Sequence, residues 1–175
     1  MENILFEDIR NRYLPTEIKV LFIGESPPCK GQFFYSGKPK LLTSTMEVFE
    51  DFFKKDFKDN LEFLKFFKTS DYFLDDLCHK PINQIEDPIE RNKKRSKSVK
   101  ALRNRLKEYN PKKIIVIMKD KDFNKYINQA INLANLNNNI RYEALPFPRY
   151  ERDVIRYKLG LKEYLADLRS KKTIH

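Results

Sequence analysis

The sequence predicts an α/β protein, a three-layer α/β/α sandwich around a four-stranded, mostly parallel central sheet. Four short apolar runs are separated by longer segments in which apolar residues recur at helical spacing. Strands that alternate with helices in this way indicate a parallel sheet covered by crossover helices. The chain has 175 residues and 41% hydrophobic content, enough for one real core. No repeat or boundary divides it, so we expect a single domain over residues 1–175.

In the first half of the chain, apolar spacing predicts three helices and two strands. Phe6, Ile9 and Tyr13 recur as on one helix face. The run Val20–Ile23 has the length and composition of a buried parallel strand. The phenylalanine-rich segments that follow are expected to pack in the core and not to surround a cofactor. The predicted helices are 2–13, 41–54 and 61–67, and the predicted strands are 18–23 and 72–77.

The second half of the chain opens with a basic helix, predicted over 91–107 after a loop over 78–92. Between Arg91 and Lys113 the many Lys and Arg residues face a single acid, Glu108. An apolar stripe beneath this charge indicates a helix and not a disordered tail. The stripe consists of Val99, Leu102, Leu106 and Tyr109. Beyond it we predict strands at 114–118 and 140–144, a helix at 121–136, an Asn-rich turn at 137–139 and a last helix supported by Val154, Leu161, Leu165 and Leu168.

The overall charge favours a polyanionic partner. Lys and Arg number 35 against 25 Asp and Glu, which gives a net charge of +10, and such an excess suits nucleic acid or an acidic membrane surface. Two cysteines are too few for a disulfide scaffold or a four-cysteine metal cluster. The sequence contains neither a signal-peptide pattern nor an apolar run that could span a bilayer. We expect a cytoplasmic monomer without a membrane partner.

The segment 18–39 is expected to contain the functional loop. The chain has only four glycines, and Gly24, Gly31 and Gly37 all fall here, whereas average usage would give a chain of this length about twelve in all. Glycine is needed where backbone adopts φ > 0 or approaches another group closely. Pro27 and Pro28 stiffen the loop, and its aromatic residues Phe33, Phe34 and Tyr35 are expected to be exposed. The alternative is an ordinary strand-to-helix turn.

Ligands of open parallel sheets lie beyond the carboxyl ends of the strands. Three loops are predicted there: Gly24–Pro39, Asp75–Asn83 and Leu145–Tyr150. They can converge on one pocket if strands one, two and four are close neighbours. The glycine spacing excludes a dinucleotide or phosphate loop, the two His and two Cys residues have no metal-binding spacing, and no hydrolase elbow is present.

Three short motifs in these loops resemble those of the uracil-DNA glycosylase superfamily. Gly24–Pro28 (G-E-S-P-P) is similar to its first motif, in the G-E-A-P-G form of the iron–sulfur branch, and Tyr72–Asn83 is similar to the second block of that branch. Leu145–Pro148 stands where the family has a His-Pro-Ser-Pro-like loop. The cluster cysteines of that branch are absent, so no iron–sulfur cluster and no other cofactor or metal is implied.

The resemblance implies the roles of individual residues. Glu25 would orient the attacking water, Asp75 would read the flipped base, and Ser26 would bind the sugar-phosphate or the water. Phe34 or Tyr35 would stack on the base. Two positions depart from the family motifs: Asp75 replaces the family's Asn, and Leu145 or Phe147 replaces its His. Further substrate contacts are assigned to Gly24, Pro27, Asp76, Pro146 and Phe147, and DNA-backbone contacts to Lys93, Lys94, Arg95, Lys97, Arg149 and Arg152.

The predicted function is that of a DNA glycosylase-like hydrolase acting on a damaged or deaminated base in single-stranded or duplex DNA. A non-catalytic nucleic-acid-binding protein with the same fold is the first alternative, and a small-molecule hydrolase or nucleotide-binding protein is the second. A structural interpretation of the neighbouring Asp75 and Asp76 also stays open, in which one caps the following turn and the other pairs with Lys80.

Overall fold

A computed structural model describes residues 2–30, 32–136 and 141–170 of the chain. Within these ranges helices and strands alternate as the sequence predicts, and most bounds agree to within a few residues. The predicted Asn-rich turn at 137–139 lies outside the described residues. The elements are α1 Glu2–Arg12, β1 Val20–Gly24, α2 Lys40–Phe53, α3 Asn60–Thr69, β2 Tyr72–Asp76, α4 Pro88–Tyr109, β3 Lys113–Ile117, α5 Lys121–Ala134, β4 Arg141–Leu145 and α6 Glu151–Ser170.

The four strands form one parallel sheet in the order β2-β1-β3-β4. Val20 is in register with Tyr72 on one side and with Lys113 on the other. All of β1 and β2 is buried, as expected for parallel strands covered on both faces. The prediction of an α/β protein with a four-stranded parallel sheet is confirmed.

The helices pack in two groups. Helices α4 and α5 contact each other, while α2 contacts both α3 and α6. The chain moves one way along the sheet from β1 to β2 and the other way from β2 to β3 and β4. Right-handed crossovers, the rule for parallel strands, place the helices of these two directions on opposite faces of the sheet. The arrangement is compatible with the predicted three-layer sandwich.

Aromatic side chains fill the space between β1, β2 and the α2–α3 pair. Phe49 is fully buried, and its ring centroid lies 5.0 Å from that of Tyr72 and 5.6 Å from that of Phe67. Phe67 in turn lies 5.5 Å from Phe22 of β1. Each buried aromatic ring contributes about 1.5–3 kcal/mol by leaving water. The prediction that the phenylalanine stripe of 61–67 packs in the core or against a partner helix is confirmed.

Helix α4 begins three residues earlier than predicted. Asp87 accepts a hydrogen bond from the backbone N–H of Ile89, and Pro88 occupies the first turn. An Asp cap followed by Pro is a strong start signal, since Pro lacks the N–H that a first turn leaves unpaired. The loop predicted over 78–92 therefore ends at Asp87, and Pro88, Ile89 and Glu90 are added to the helix predicted from Arg91.

Candidate functional site

Two of the three predicted loops lie side by side at the carboxyl ends of β1 and β2. The Ser26 hydroxyl accepts a hydrogen bond from the backbone N–H of Ile82 at 3.2 Å. The backbone N–H of Cys29 donates to Oδ1 of Asn83 at 3.0 Å. These bonds join the glycine loop to the loop after β2, as the motif order predicts.

The third loop, after β4, lies further along the sheet. Strand β3 separates β1 from β4, so the condition for a single pocket formed by all three loops is not met. Phe147 and Tyr150 are exposed at this edge, with the Arg149 guanidinium 5.4 Å from the centre of the Tyr150 ring. One contact connects the loop to the start of α2: Lys40 Nζ donates to the Arg149 carbonyl at 3.1 Å.

Gly24 is explained by a neighbouring side chain. A Cβ at this position would lie 2.5 Å from Oδ1 of Asp76, far inside van der Waals contact. Gly37 has φ +80°, a conformation that favours glycine. Gly31 lies outside the described residues. Close packing against Asp76 therefore explains Gly24, and a turn with positive φ explains Gly37.

The expectation that the aromatic residues of the glycine loop are exposed is wrong. Phe33, Phe34 and Tyr35 are buried, at 3%, 5% and 3% exposure. The Tyr35 hydroxyl donates to the Leu74 carbonyl at 2.9 Å and accepts from the Leu74 N–H at 2.7 Å. Because β2 is an edge strand, these bonds satisfy backbone groups that no neighbouring strand pairs. The two rings assigned to base stacking instead hold the loop against the sheet.

Two arginines of α4 enclose the Glu25 carboxylate. Oε1 accepts from Nε of Arg91 at 2.8 Å and from Nε of Arg95 at 2.7 Å, and Oε2 accepts from Nη2 of Arg91. Glu25 is 6% exposed, so this charge is neutralised inside the protein. The hydrogen bond that Arg91 donates to Glu25 raises the pKa of Arg91.

Arg95 is buried, which corrects the sequence prediction that its side chain is available to contact a DNA backbone. It is 5% exposed, and besides Glu25 it contacts Oδ2 of Asp120 at 3.3 Å. Its guanidinium also lies 5.5 Å from the centre of the Phe123 ring. Arg95 thus joins β1, α4 and α5 in the interior.

A second buried charge cluster surrounds Asp75, which is fully buried. Its carboxylate accepts from Nε of Arg105 at 2.6 Å, and Nε2 of His79 lies 2.9 Å away. Arg10 Nε of α1 lies 3.4 Å from Oδ1. Burial raises the pKa of the Asp75 carboxyl, but the hydrogen bond from His79 and the charges of Arg105 and Arg10 outweigh burial, and the pKa lies well below its usual range.

Asp76 pairs with the same arginine of α1. Arg10 Nη2 donates to Asp76 Oδ2 at 2.6 Å. Burial raises the pKa of Asp76 above its usual value, opposed by the Arg10 charge and reinforced by the neighbouring Asp75. Lys80 is exposed and pairs with neither carboxylate among the contacts of the described residues. The interpretation that one of the two pairs with Lys80 is therefore wrong.

The sequence prediction missed Arg10, Arg105 and His79. A signal for the arginines was present, because Arg10 falls four residues after Phe6 and Arg105 three after Leu102, both on the apolar helix faces. Arginine suits such positions, since its planar guanidinium binds a carboxylate through two donors. The lysines of α4, in contrast, are exposed.

Exposed lysines form one stripe on α4, which we call the lysine stripe: Lys93, Lys97, Lys100 and Lys107. Their spacing of three, four and seven residues places them on one helix face. Glu90, at the start of the helix, lies 3.7 Å from Lys93 and 3.9 Å from the adjacent Lys94. The predicted contacts Lys93, Lys94 and Lys97 are thus on the surface, and so are Arg149 and Arg152 at the start of α6.

No protein-family model matches the chain, and no curated protein matches its sequence significantly. Among the described residues, no three or more His, Cys, Asp or Glu side chains are grouped so that they could hold a metal ion. No helix in the described ranges is long and apolar enough to cross a bilayer.

Proposed function

We propose that the protein binds nucleic acid through the lysine stripe of α4, on a fold of the uracil-DNA glycosylase type. One observation carries the proposal: arginines 91, 95 and 105 of this helix point inward to carboxylates, whereas four of its five lysines lie on one exposed face. A surface that holds lysine and little acid is an electrostatic footprint for phosphates.

The dimensions of the stripe suit a phosphate backbone. Lys93 and Lys107 are fourteen residues apart, which corresponds to about 21 Å along a helix. Duplex DNA presents one phosphate charge for about 1.7 Å of its axis, so all four lysines can meet phosphates of one segment. Such contacts carry no sequence information. Binding is therefore expected to depend on salt and to be indifferent to base sequence.

The buried carboxylates favour binding over catalysis. Glu25 accepts hydrogen bonds from two guanidinium groups, and Asp75 accepts from Arg105 and His79. Both side chains thus already have strong partners in the interior. Phe34 and Tyr35 are equally committed to the core. These contacts support a protein in which the motif loops have a structural role and not a catalytic one.

The test is a titration of fluorescent single-stranded and duplex oligonucleotides at several salt concentrations. Replacing the four stripe lysines by Gln is expected to weaken binding and to reduce the slope of log K against log salt by about 3. A control variant replaces the exposed Lys58, Lys65, Lys121 and Lys125 by Gln, which changes net charge equally. Equal effects of the two variants, or no binding by the wild type, would refute the proposal.

A second candidate, base excision, is favoured by the Asp75–His79 pair. An ionised carboxylate can only accept hydrogen bonds, so Nε2 of His79 carries the proton toward Asp75. In the neutral ring, Nδ1 is then left as a proton acceptor. It lies 3.9 Å from Oε2 of the exposed Glu7, and the His79 side chain is 24% exposed beside the motif loops. His79 would take a proton from water while the water oxygen bonds to C1′ of the sugar and the bond from C1′ to the base breaks, its electron pair going to the base. The proton held by His79 would then pass to the departing base.

Excision is tested with oligonucleotides that each carry one modified base, followed by alkaline cleavage at abasic sites. Cleavage that is lost in His79→Gln, with oligonucleotide binding intact, would establish the second candidate. Absence of cleavage at every base, together with stripe-dependent binding, would leave the binding function alone.

A further inference from the structure

A cavity of about 790 Å³ lies at the amino ends of the strands, whereas the motif loops lie at the carboxyl ends. Val20, Tyr72 and Lys113, the first residues of β1, β2 and β3, line it together with the last turns of α2 and α6. Cavities that take small organic ligands are commonly about 300–1,000 Å³. The space therefore suits a ligand of ordinary size.

One part of the cavity wall is apolar. Phe52 from α2 and Leu165 and Leu168 from α6 contribute side chains, and Tyr72 adds its ring. Burial raises the pKa of Tyr72 to about 12, so its phenol stays neutral at physiological pH. This wall matches an aromatic ring or an alkyl chain, which gains free energy by leaving water.

The rest of the wall is cationic. It contains five basic residues against one acid, Glu17, the bases being Lys19, Lys54, Lys112, Lys113 and Arg169. Asp71 pairs with Lys19, and Asp51 lies 3.0 Å from Lys54. The exposed Lys112 side chain, in contrast, makes no hydrogen bond or ion pair among the described contacts.

We propose that this cavity binds an amphipathic organic anion, with its aromatic or alkyl body against Phe52, Tyr72 and Leu168 and its acidic group beside Lys112. The site is independent of the lysine stripe, because it is formed by other side chains at the ends of β1, β2, α2 and α6. A neutral ligand would leave the cationic rim unused, and a small inorganic anion would leave the apolar wall in water.

The first experiment titrates the full chain with 8-anilinonaphthalene-1-sulfonate, an aromatic anion that fluoresces when it enters an apolar site. We expect one bound probe per chain, with affinity at least tenfold weaker in Leu168→Asp and several-fold weaker in Lys112→Gln. Lys121→Gln, an exposed lysine of α5 that does not line the cavity, is the matched control and should bind like the wild type. Circular dichroism and thermal unfolding verify that each variant is folded.

A competition experiment separates the role of charge from that of the apolar wall. Decanoate is expected to displace the probe, whereas decanol, with the same chain and no charge, should be at least tenfold weaker. If the two compete equally in the wild type, or if probe affinity is unchanged in both Leu168→Asp and Lys112→Gln, the proposal is overturned. Failure to bind oligonucleotides would leave it unaffected, because none of its side chains belongs to the stripe.

Discussion

Arg10 and Asp76 are 66 residues apart in the chain, yet Nη2 of Arg10 lies 2.6 Å from Oδ2 of Asp76. Both residues are buried, at 1% and 4% exposure. The Arg10 guanidinium also lies 5.4 Å from the centre of the Phe33 ring. A single side chain thus connects α1 to the end of β2 and to the glycine loop.

Replacing Arg10 by Met is expected to destabilise the protein by about 3–5 kcal/mol, because removal of one partner leaves a buried charge uncompensated. Urea unfolding measures the loss. The double variant Arg10→Met, Asp76→Asn should recover part of it, since the lone carboxylate is then neutral. Strict additivity of the two single losses would contradict this coupling.

Glu25→Gln is expected to cost about 3 kcal/mol for the same reason, because Arg91 and Arg95 lose their shared carboxylate. Glu90→Gln is the control on the same helix. Its contacts to Lys93 and Lys94 are exposed, and surface pairs contribute about 0–1 kcal/mol. Similar losses in both variants would show that Glu25 is not a buried ion-pair partner.

Stability should fall in acid through Asp75. Its pKa is lowered in the folded protein, whereas an unfolded Asp titrates near 3.9. The contribution is therefore present above about pH 4 and is lost as pH falls toward the lower folded pKa. The pKa of Asp76 is raised, so the contribution of this residue to the free energy of unfolding falls as pH rises. Asp75→Asn should be less stable than the wild type at pH 7, but its free energy of unfolding should fall less between pH 5 and pH 2. Urea titrations at each pH measure this free energy. The exposed Asp8→Asn is the control and should behave like the wild type.

Gly24→Ala is expected to destabilise by about 1–3 kcal/mol through overpacking. The added Cβ would meet Oδ1 of Asp76, which Arg10 holds in place. Gly160→Ala is the comparison, because its Cβ would meet only Cδ2, at the end of the Leu145 side chain, at 2.6 Å. There the clash is relieved by side-chain movement and offset by the better helix propensity of Ala, about 1 kcal/mol. Thermal unfolding of both variants distinguishes them, and a larger loss at Gly160 would contradict the packing described for Gly24.

Much of the fold could be predicted from local pattern. Apolar runs such as Val20–Ile23 and Ile114–Ile117 are strands because parallel strands are buried on both faces. Helical spacing correctly indicated the buried faces of α2, α3 and α4. These features depend on neighbours within one element, which a single sequence contains.

The candidate site was less predictable, because its contacts are between distant elements. Loop composition suggested that Phe34 and Tyr35 are exposed, but the free edge of β2 provides the backbone groups that Tyr35 binds. Strand order, which separates the loop after β4 from the other two, also cannot be read from periodicity. The partners of Glu25 and Asp75 are four arginines and a histidine. They lie 66 or 70 residues away from Glu25, and 4, 30 or 65 residues away from Asp75.

The position of Arg10 also constrains the order in which the chain can fold. During synthesis α1 emerges before its partners, because Asp75 and Asp76 follow more than 60 residues later, and Arg105 about 30 residues after them. Contacts of such sequence separation form late, since the loop between them must close first. The N-terminal helix therefore docks only after β2 has paired with β1. A nascent chain that ends before Asp75 and Asp76 has α1 without these two buried partners, and in that state the helix is available to chaperones.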